Sequence, residues 1–215
     1  QDSKKRWEVL ISSTEDFLGG EIFRWEKKCP ADQVNSKWLA DALKEALNDA
    51  ETKGWEKPSR LRCWRTSMKT MIKKAALEVN LEVIHSRRTY SLREWLSERE
   101  KDVYPSDPGY MSGPLAPPSE RILNQPTPLP EEVRGDAWSF ASLKVGALRE
   151  ANQWPIEFSS LLPIKESIDD NVSILGLRLF SQKRALALAG WLGGLEPVKL
   201  VIEGNKLLLE AGQED

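Results

Sequence analysis

Proline is distributed very unevenly along this chain, and its distribution limits where a domain can fold. Eight of the thirteen prolines fall within residues 105–130, together with two glycines. Proline fixes φ and lacks an amide hydrogen to donate, so it is unfavourable inside helices and inside sheets. We therefore predict a larger N-terminal domain over residues 1–104, a proline-rich linker over residues 105–135 and a smaller C-terminal domain over residues 136–215.

In the first of these domains, apolar residues repeat first at period two and then at helical spacing, which predicts strands followed by alternating helices and strands. The spacing predicts strands over residues 7–11, 21–25, 61–63 and 81–85. We expect helices to begin with side-chain caps from Ser36, from Thr66 or Ser67, and from a capping box of Ser91 and Glu94. The order ββαβαβα predicts an α/β to α+β fold in which helices pack on a mixed sheet.

The C-terminal domain has a simpler pattern. Its apolar residues predict a strand over residues 175–180, a helix over residues 183–192, and strands over residues 198–203 and 206–210. Gly204 and Asn205 between the last two strands are typical of a tight hairpin turn. The sequence therefore predicts a βαββ unit.

Composition excludes several classes of site. The chain has only two cysteines and one histidine, too few for a His/Cys zinc site or a disulfide framework. No glycine-rich phosphate loop is present, so we expect neither a metal nor a cofactor. No apolar run reaches about 18 residues, so we expect no membrane span, and the polar residues 1–6 do not resemble a secretory signal.

Charge is strongly segregated along the sequence. The formal net charge is only -2, but residues 57–93 hold ten basic and two acidic side chains, a local net charge of +8. Cations interleaved with aromatic rings are typical of surfaces that bind single-stranded nucleic acid. The candidate nucleic-acid-binding residues are Arg60, Arg62, Trp64, Arg65, Lys69, Lys73, Arg87, Arg88, Tyr90 and Arg93. They combine into one groove if the two strand-to-helix junctions lie on the same edge of the sheet.

Other interpretations of these charges stay open at this point. A basic surface also occurs as a solvated face that pairs with acidic residues elsewhere. It also suits an assembly scaffold that docks on an acidic protein or an anionic membrane surface. Finally, Asp16 with Glu26 and Lys28 loosely matches a metal-dependent nuclease, in which two carboxylates hold Mg²⁺ and a lysine positions the attacking water. Glu-x-Lys spacing is common in a chain with 30% charged residues, so a charged strand end is the simpler interpretation.

Several separated blocks together resemble one known family. These are residues 62–72 (RCWRTSMKTMI), 86–96 (SRRTYSLREWL), 135–140 (GDAWSF) and 187–196 (ALAGWLGGLE). They are similar to the Tab/Atab family of translation activators of photosystem subunits, found in chloroplasts and cyanobacteria.

The resemblance implies a non-enzymatic protein that binds single-stranded RNA, in particular photosystem messenger leaders. It also implies a role in translation or biogenesis of photosystem I and photosystem II proteins, with protein partners in translation or assembly. The expected location is the chloroplast stroma in a plant or alga and the cytoplasm in a cyanobacterium.

Overall fold

The computed structural model describes residues 6–14, 20–111, 128–131, 134–150, 164, 166–193 and 195–212. The chain divides into two compact units, Gln1–Ile122 and Leu123–Asp215. Both units combine helices with strands, so the predicted α/β to α+β class is confirmed. The two units are described separately below.

The elements of the first unit follow the predicted order ββαβαβα. They are β1 (Trp7–Ser12), β2 (Arg24–Cys29), α1 (Ser36–Thr52), β3 (Arg60–Cys63), α2 (Lys69–Leu77), β4 (Glu82–His85) and α3 (Tyr90–Asp102). Short 3₁₀ turns over Thr66–Met68 and Tyr104–Ser106 precede α2 and follow α3. Among the described residues the strands form two separate ladders, an antiparallel β1–β2 pair and a parallel β3–β4 pair.

The second strand lies further along the chain than the sequence predicts. Residues 21–25 have the clearer apolar alternation, but β2 extends from Arg24 to Cys29, with Ser12 paired to Arg24 and Trp7 paired to Cys29. Charged residues can occupy positions in β2 because their side chains form ion pairs with side chains of opposite charge. Lys28 Nζ, for example, lies 3.0 Å from Asp107 Oδ1. Residues 26–28, which the sequence suggested were a charged strand end, therefore lie inside β2.

The core of this unit lies between α1, α2 and the two ladders. Small buried side chains on both helices, among them Ala40, Ala75 and Ala76, allow the helices to pack closely. Half-buried Val9 of β1 and Val83 of β4 pack against the same cluster. One apolar core thus joins the two ladders, which share no backbone pairing among the described residues.

The helix caps differ from the predicted ones. In α1 the cap is Asn35, whose Oδ1 accepts a hydrogen bond from the Trp38 amide at 2.9 Å, and not Ser36. Neither Thr66 nor Ser67 caps α2, because both lie in the preceding 3₁₀ turn. The predicted capping box of α3 is also absent: Ser91 is buried, and its hydroxyl donates to the Ser13 carbonyl oxygen at 2.9 Å.

A buried arginine connects α3 to the first ladder. Arg99 is only 5% exposed, and its Nη2 donates to Glu8 Oε2 of β1 at 2.9 Å while its Nη1 donates to Glu26 of β2. The Tyr104 hydroxyl donates to the other oxygen of Glu8, and burial together with this bond raises the pKa of Tyr104. The Arg99 guanidinium also lies 5.6 Å from the Trp95 ring centre and 5.4 Å from that of Tyr104.

The described residues of the second unit form two antiparallel ladders and two helices. Its elements are β5 (Ala137–Lys144), α4 (Val145–Arg149), β6 (Ser173–Phe180), α5 (Ala185–Gly193), β7 (Glu196–Glu203) and β8 (Lys206–Gly212). The last four are the βαββ unit that the sequence predicts, and Gly204, with φ of +59°, supplies the left-handed position of the hairpin. Sequence periodicity missed β5 and α4, although Trp138 and Phe140 of β5 alternate as strand residues do.

Loss of the buried cation should destabilise the first unit. In Arg99→Ala, Glu8 and Glu26 lose their shared guanidinium, and we expect the free energy of unfolding to fall by about 3 kcal/mol. Urea denaturation followed by circular dichroism measures this change. Lys44→Ala, which removes an exposed lysine paired to Asp41 at 3.6 Å, is the control and should cost less than about 1 kcal/mol. Equal losses for the two variants would contradict a central role for Arg99.

The position of the α1 cap makes a second prediction. Asn35→Ala should lower the free energy of unfolding by about 1 kcal/mol, because it removes the acceptor for the Trp38 amide. Ser36→Ala should change it by no more than about 0.5 kcal/mol, because alanine is a good helix former. The same urea titration compares the two, and a larger loss for Ser36→Ala would show that the cap is assigned to the wrong residue.

Candidate nucleic-acid interface

The parallel pairing of β3 and β4 determines where the basic residues lie. Cys63 at the end of β3 pairs with His85 at the end of β4, and the Ser86 amide donates to the Cys63 carbonyl oxygen at 3.0 Å. Because the strands run in the same direction, the β3–α2 and β4–α3 junctions lie on the same edge of the ladder. We use the name basic edge for the cationic and aromatic residues at this edge, which are Arg62, Trp64, Arg65, Arg87, Arg88, Tyr90 and Arg93.

Short polar contacts fix the two junctions relative to each other. The Thr66 hydroxyl of the first junction lies 3.2 Å from Nε2 of His85, at the start of the second. Ser86 is 2% exposed, and its hydroxyl accepts a hydrogen bond from the Arg88 amide at 3.1 Å. The sequence predicted Thr66 only as a helix cap and predicted no contact between it and His85. Their contact depends on strand pairing, which residue spacing alone does not encode.

The edge offers an aromatic ring beside a cation. Tyr90, in the first turn of α3, is 38% exposed, and the Arg93 guanidinium carbon lies 5.3 Å from the centre of its ring. Trp64 is half-buried, and within the described part of the chain its Nε1 is a buried donor without a hydrogen-bond acceptor. Arg62, Arg65, Arg87 and Arg88 are half-buried, so their stems contact protein.

Three other candidate residues lie away from the edge. Arg60 is the first residue of β3, at the opposite end of the ladder, and its Nε lies 3.0 Å from Glu82 Oε2. Its charge is therefore matched by a neighbouring carboxylate. Lys69 and Lys73 are exposed on α2, one helical turn apart, on the helix that follows the first junction.

The thiol beside the edge is poorly suited to act as a nucleophile. Cys63 is a free cysteine, and burial raises the pKa of its thiol more than the nearby Arg65 lowers it. The Arg65 amide lies 3.4 Å from Cys63 Sγ. A protonated, half-buried thiol is a structural group rather than a reactive one.

The nuclease-like residues have structural partners instead. Glu26 binds the Arg99 guanidinium, Lys28 binds Asp107, and Asp16 lies outside the described residues. Over the residues with described positions, no group of three or more His, Cys, Asp or Glu side chains is arranged to hold a metal ion. The geometry of Glu26 and Lys28 is that of an ion-pair network.

Among the described helices, none combines the length and apolar character that crossing a membrane requires.

Two curated plant proteins are similar to almost the whole chain. A protein named as a chloroplastic TAB2 homologue from Arabidopsis thaliana is 33% identical over 221 residues, which cover 97% of this chain and 55% of the relative. A protein of the same name from Zea mays is 32% identical over 218 residues, which cover 97% of this chain and 53% of the relative. The chain thus spans about half the length of these relatives. No solved structure matches it.

Two family models match separate parts of the sequence. The N-terminal domain model of the RNA-binding protein Tab2/Atab2 matches residues 1–99, and the C-terminal domain model of the same family matches residues 117–215. Residues 100–116 lie between the two matches, and the second match begins within the proline-rich segment. The blocks that resembled this family in the sequence therefore have a common origin, and the chain belongs to the Tab2/Atab2 family of RNA-binding proteins.

Proposed function

We propose that this chain binds single-stranded RNA at the basic edge and has no enzymatic activity. The observation that carries the proposal is the parallel β3–β4 pair, which places two arginine-rich junctions side by side. Open α/β folds bind ligands at the carboxyl ends of parallel strands. The description of the family as RNA-binding supports the identity of the ligand.

The residues of the edge have complementary roles in this proposal. Arg62, Arg65, Arg87, Arg88 and Arg93 bind phosphate oxygens. Guanidinium groups suit this role because they present several donors in a fixed plane. Trp64 and Tyr90 stack on bases, which favours single strands because the bases of a duplex are not free to stack on a side chain. Arg60 contributes to the local electrostatic potential and does not bind RNA directly, because the Glu82 carboxylate lies beside its guanidinium.

The biological role we propose is in translation or biogenesis of photosystem subunits. The RNA would be the leader of a photosystem I or photosystem II messenger, and partners in translation or assembly would act with it. The location we propose is the chloroplast stroma, or the cytoplasm if the chain is cyanobacterial. The chloroplastic names of both relatives support the chloroplast.

Charge reversal tests the basic edge directly. Arg87→Glu/Arg88→Glu should weaken binding to a labelled single-stranded RNA and flatten the dependence of log K on log salt concentration, because fewer counterions are released. Fluorescence anisotropy at several salt concentrations measures both quantities.

The control is Lys44→Glu/Lys53→Glu, which makes the same change of net charge on α1 and at the residue that directly follows it. Unchanged affinity and slope in the Arg87/Arg88 variant would remove these residues from the site. Equal weakening in both variants would indicate a general charge effect and not a local one. Binding of an acidic protein or of anionic vesicles that RNA does not compete for would instead favour the scaffold interpretation.

Absence of catalysis is a separate prediction. Labelled single-stranded RNA should stay intact when incubated with the protein and Mg²⁺ or Mn²⁺, because Glu26 and Lys28 are held in ion pairs with Arg99 and Asp107. Gel electrophoresis of the products measures cleavage. Metal-dependent cleavage that is lost in Lys28→Met, where the exposed amine is removed, would contradict a purely binding role.

A further inference from the structure

Within the described residues, the lysines of α2 have no carboxylate beside them. Lys69, Lys73 and Lys74 are all exposed, and within the described ranges none of the three forms an ion pair or a side-chain hydrogen bond. By contrast, Lys44 of α1 lies 3.6 Å from Asp41, and Lys53, which directly follows α1, lies 2.8 Å from Asp49. The ammonium groups of α2 are therefore available to an external anion.

Two of these lysines share one face of the helix. Lys69 and Lys73 are four residues apart, so they lie on one face and are separated by about 6 Å along the axis. This separation is comparable with that of neighbouring phosphates in an extended single strand. The 3₁₀ turn at Thr66–Met68 connects the start of this face to Arg65 of the basic edge.

The positive surface also has a defined end. Leu77 is exposed at the end of α2, and the next residue, Glu78, has its carboxylate 3.8 Å from the Lys44 ammonium. Positive charge therefore covers the first two turns of α2 and stops before its C-terminus. A polyanion that follows this face has room for two or three phosphates beyond the basic edge.

We propose that the exposed face of α2 is a track for the phosphate backbone of RNA, and that it does not read the bases. The inference rests on the proposed function and extends it, since it assigns the lysine face a role distinct from that of the arginine and aromatic edge. Lysine ammonium groups act as point charges on flexible stems and carry no base specificity. Because no ion pair has to be broken here, each phosphate bound releases a counterion at little cost.

The salt dependence of RNA binding tests the track. Each contact to a single strand contributes about 0.7 to the slope of log K against log salt concentration, so Lys69→Ala/Lys73→Ala should lower the magnitude of the slope by about 1.4. The probe is a labelled oligouridylate bound to the full chain, measured by fluorescence anisotropy. Alanine is at least as good a helix former as lysine, so α2 stays folded.

The matched control is Lys44→Ala/Lys53→Ala, which removes the same number of charges from lysines that already have partners. Its slope should change by less than half as much. Equal changes in the two double variants would overturn the inference, since the effect would then come from net charge alone.

A second ligand separates backbone contacts from base contacts. Inorganic polyphosphate has the repeating charge of RNA without its bases, so it should compete with the oligouridylate several-fold less well in Lys69→Ala/Lys73→Ala than in the unaltered chain. Tyr90→Ala should weaken RNA binding, by about tenfold for one lost stack, without changing direct binding of polyphosphate.

The possible failures are distinguishable. If the unaltered chain binds RNA and the lysine variant keeps the full slope, the track is wrong and the basic edge stands. If the unaltered chain binds no RNA at all, the proposed function is wrong, and the track loses its basis with it.

Discussion

The position of Arg99 organises the first unit. Its guanidinium lies between carboxylates from β1 and β2, so α3 is attached to the first ladder through a buried charge. Ser91, at the other end of α3, is held by the carbonyl of Ser13 just after β1. With both ends of α3 fixed, the β4–α3 junction and its arginines have a defined position. A buried ion pair of this kind is sensitive to the loss of either partner, so the position of α3 depends on the β1–β2 ladder.

The second constraint is the direction of strand pairing. Had β4 run antiparallel to β3, the two arginine-rich junctions would lie at opposite ends of the ladder, and the charge of residues 57–93 would be spread over two surfaces. Parallel pairing instead places Cys63 beside His85, and contacts of Thr66 and Ser86 hold the neighbouring loops. The near-zero net charge of the whole chain is consistent with one local positive surface, since a protein of this kind does not coat polyanions indiscriminately.

The caps and the second strand show where local patterns fail. Ser91 has the sequence signature of a capping-box residue, but burial against β1 gives its hydroxyl a tertiary acceptor that competes with the local one. Residues 21–25 have better alternation than β2 does, yet β2 continues through Glu26 and Lys28 because distant partners, Arg99 and Asp107, offset their charge. In both cases a contact between residues far apart in the sequence determines the local structure, which the spacing of neighbouring residues does not predict.

The sequence by itself determined the α/β class, the ββαβαβα order, the βαββ unit and the concentration of cations, because periodicity and charge are properties of neighbouring residues. It also contained the blocks that place the chain in its family. Only the tertiary structure decided that the two junctions share an edge, that Arg60 is matched by Glu82, and that the lysines of α2 stand without carboxylate partners among the described residues. Each of these findings depends on which strands pair or on which charged side chains come together across the fold. The spacing of neighbouring residues determines neither of these two.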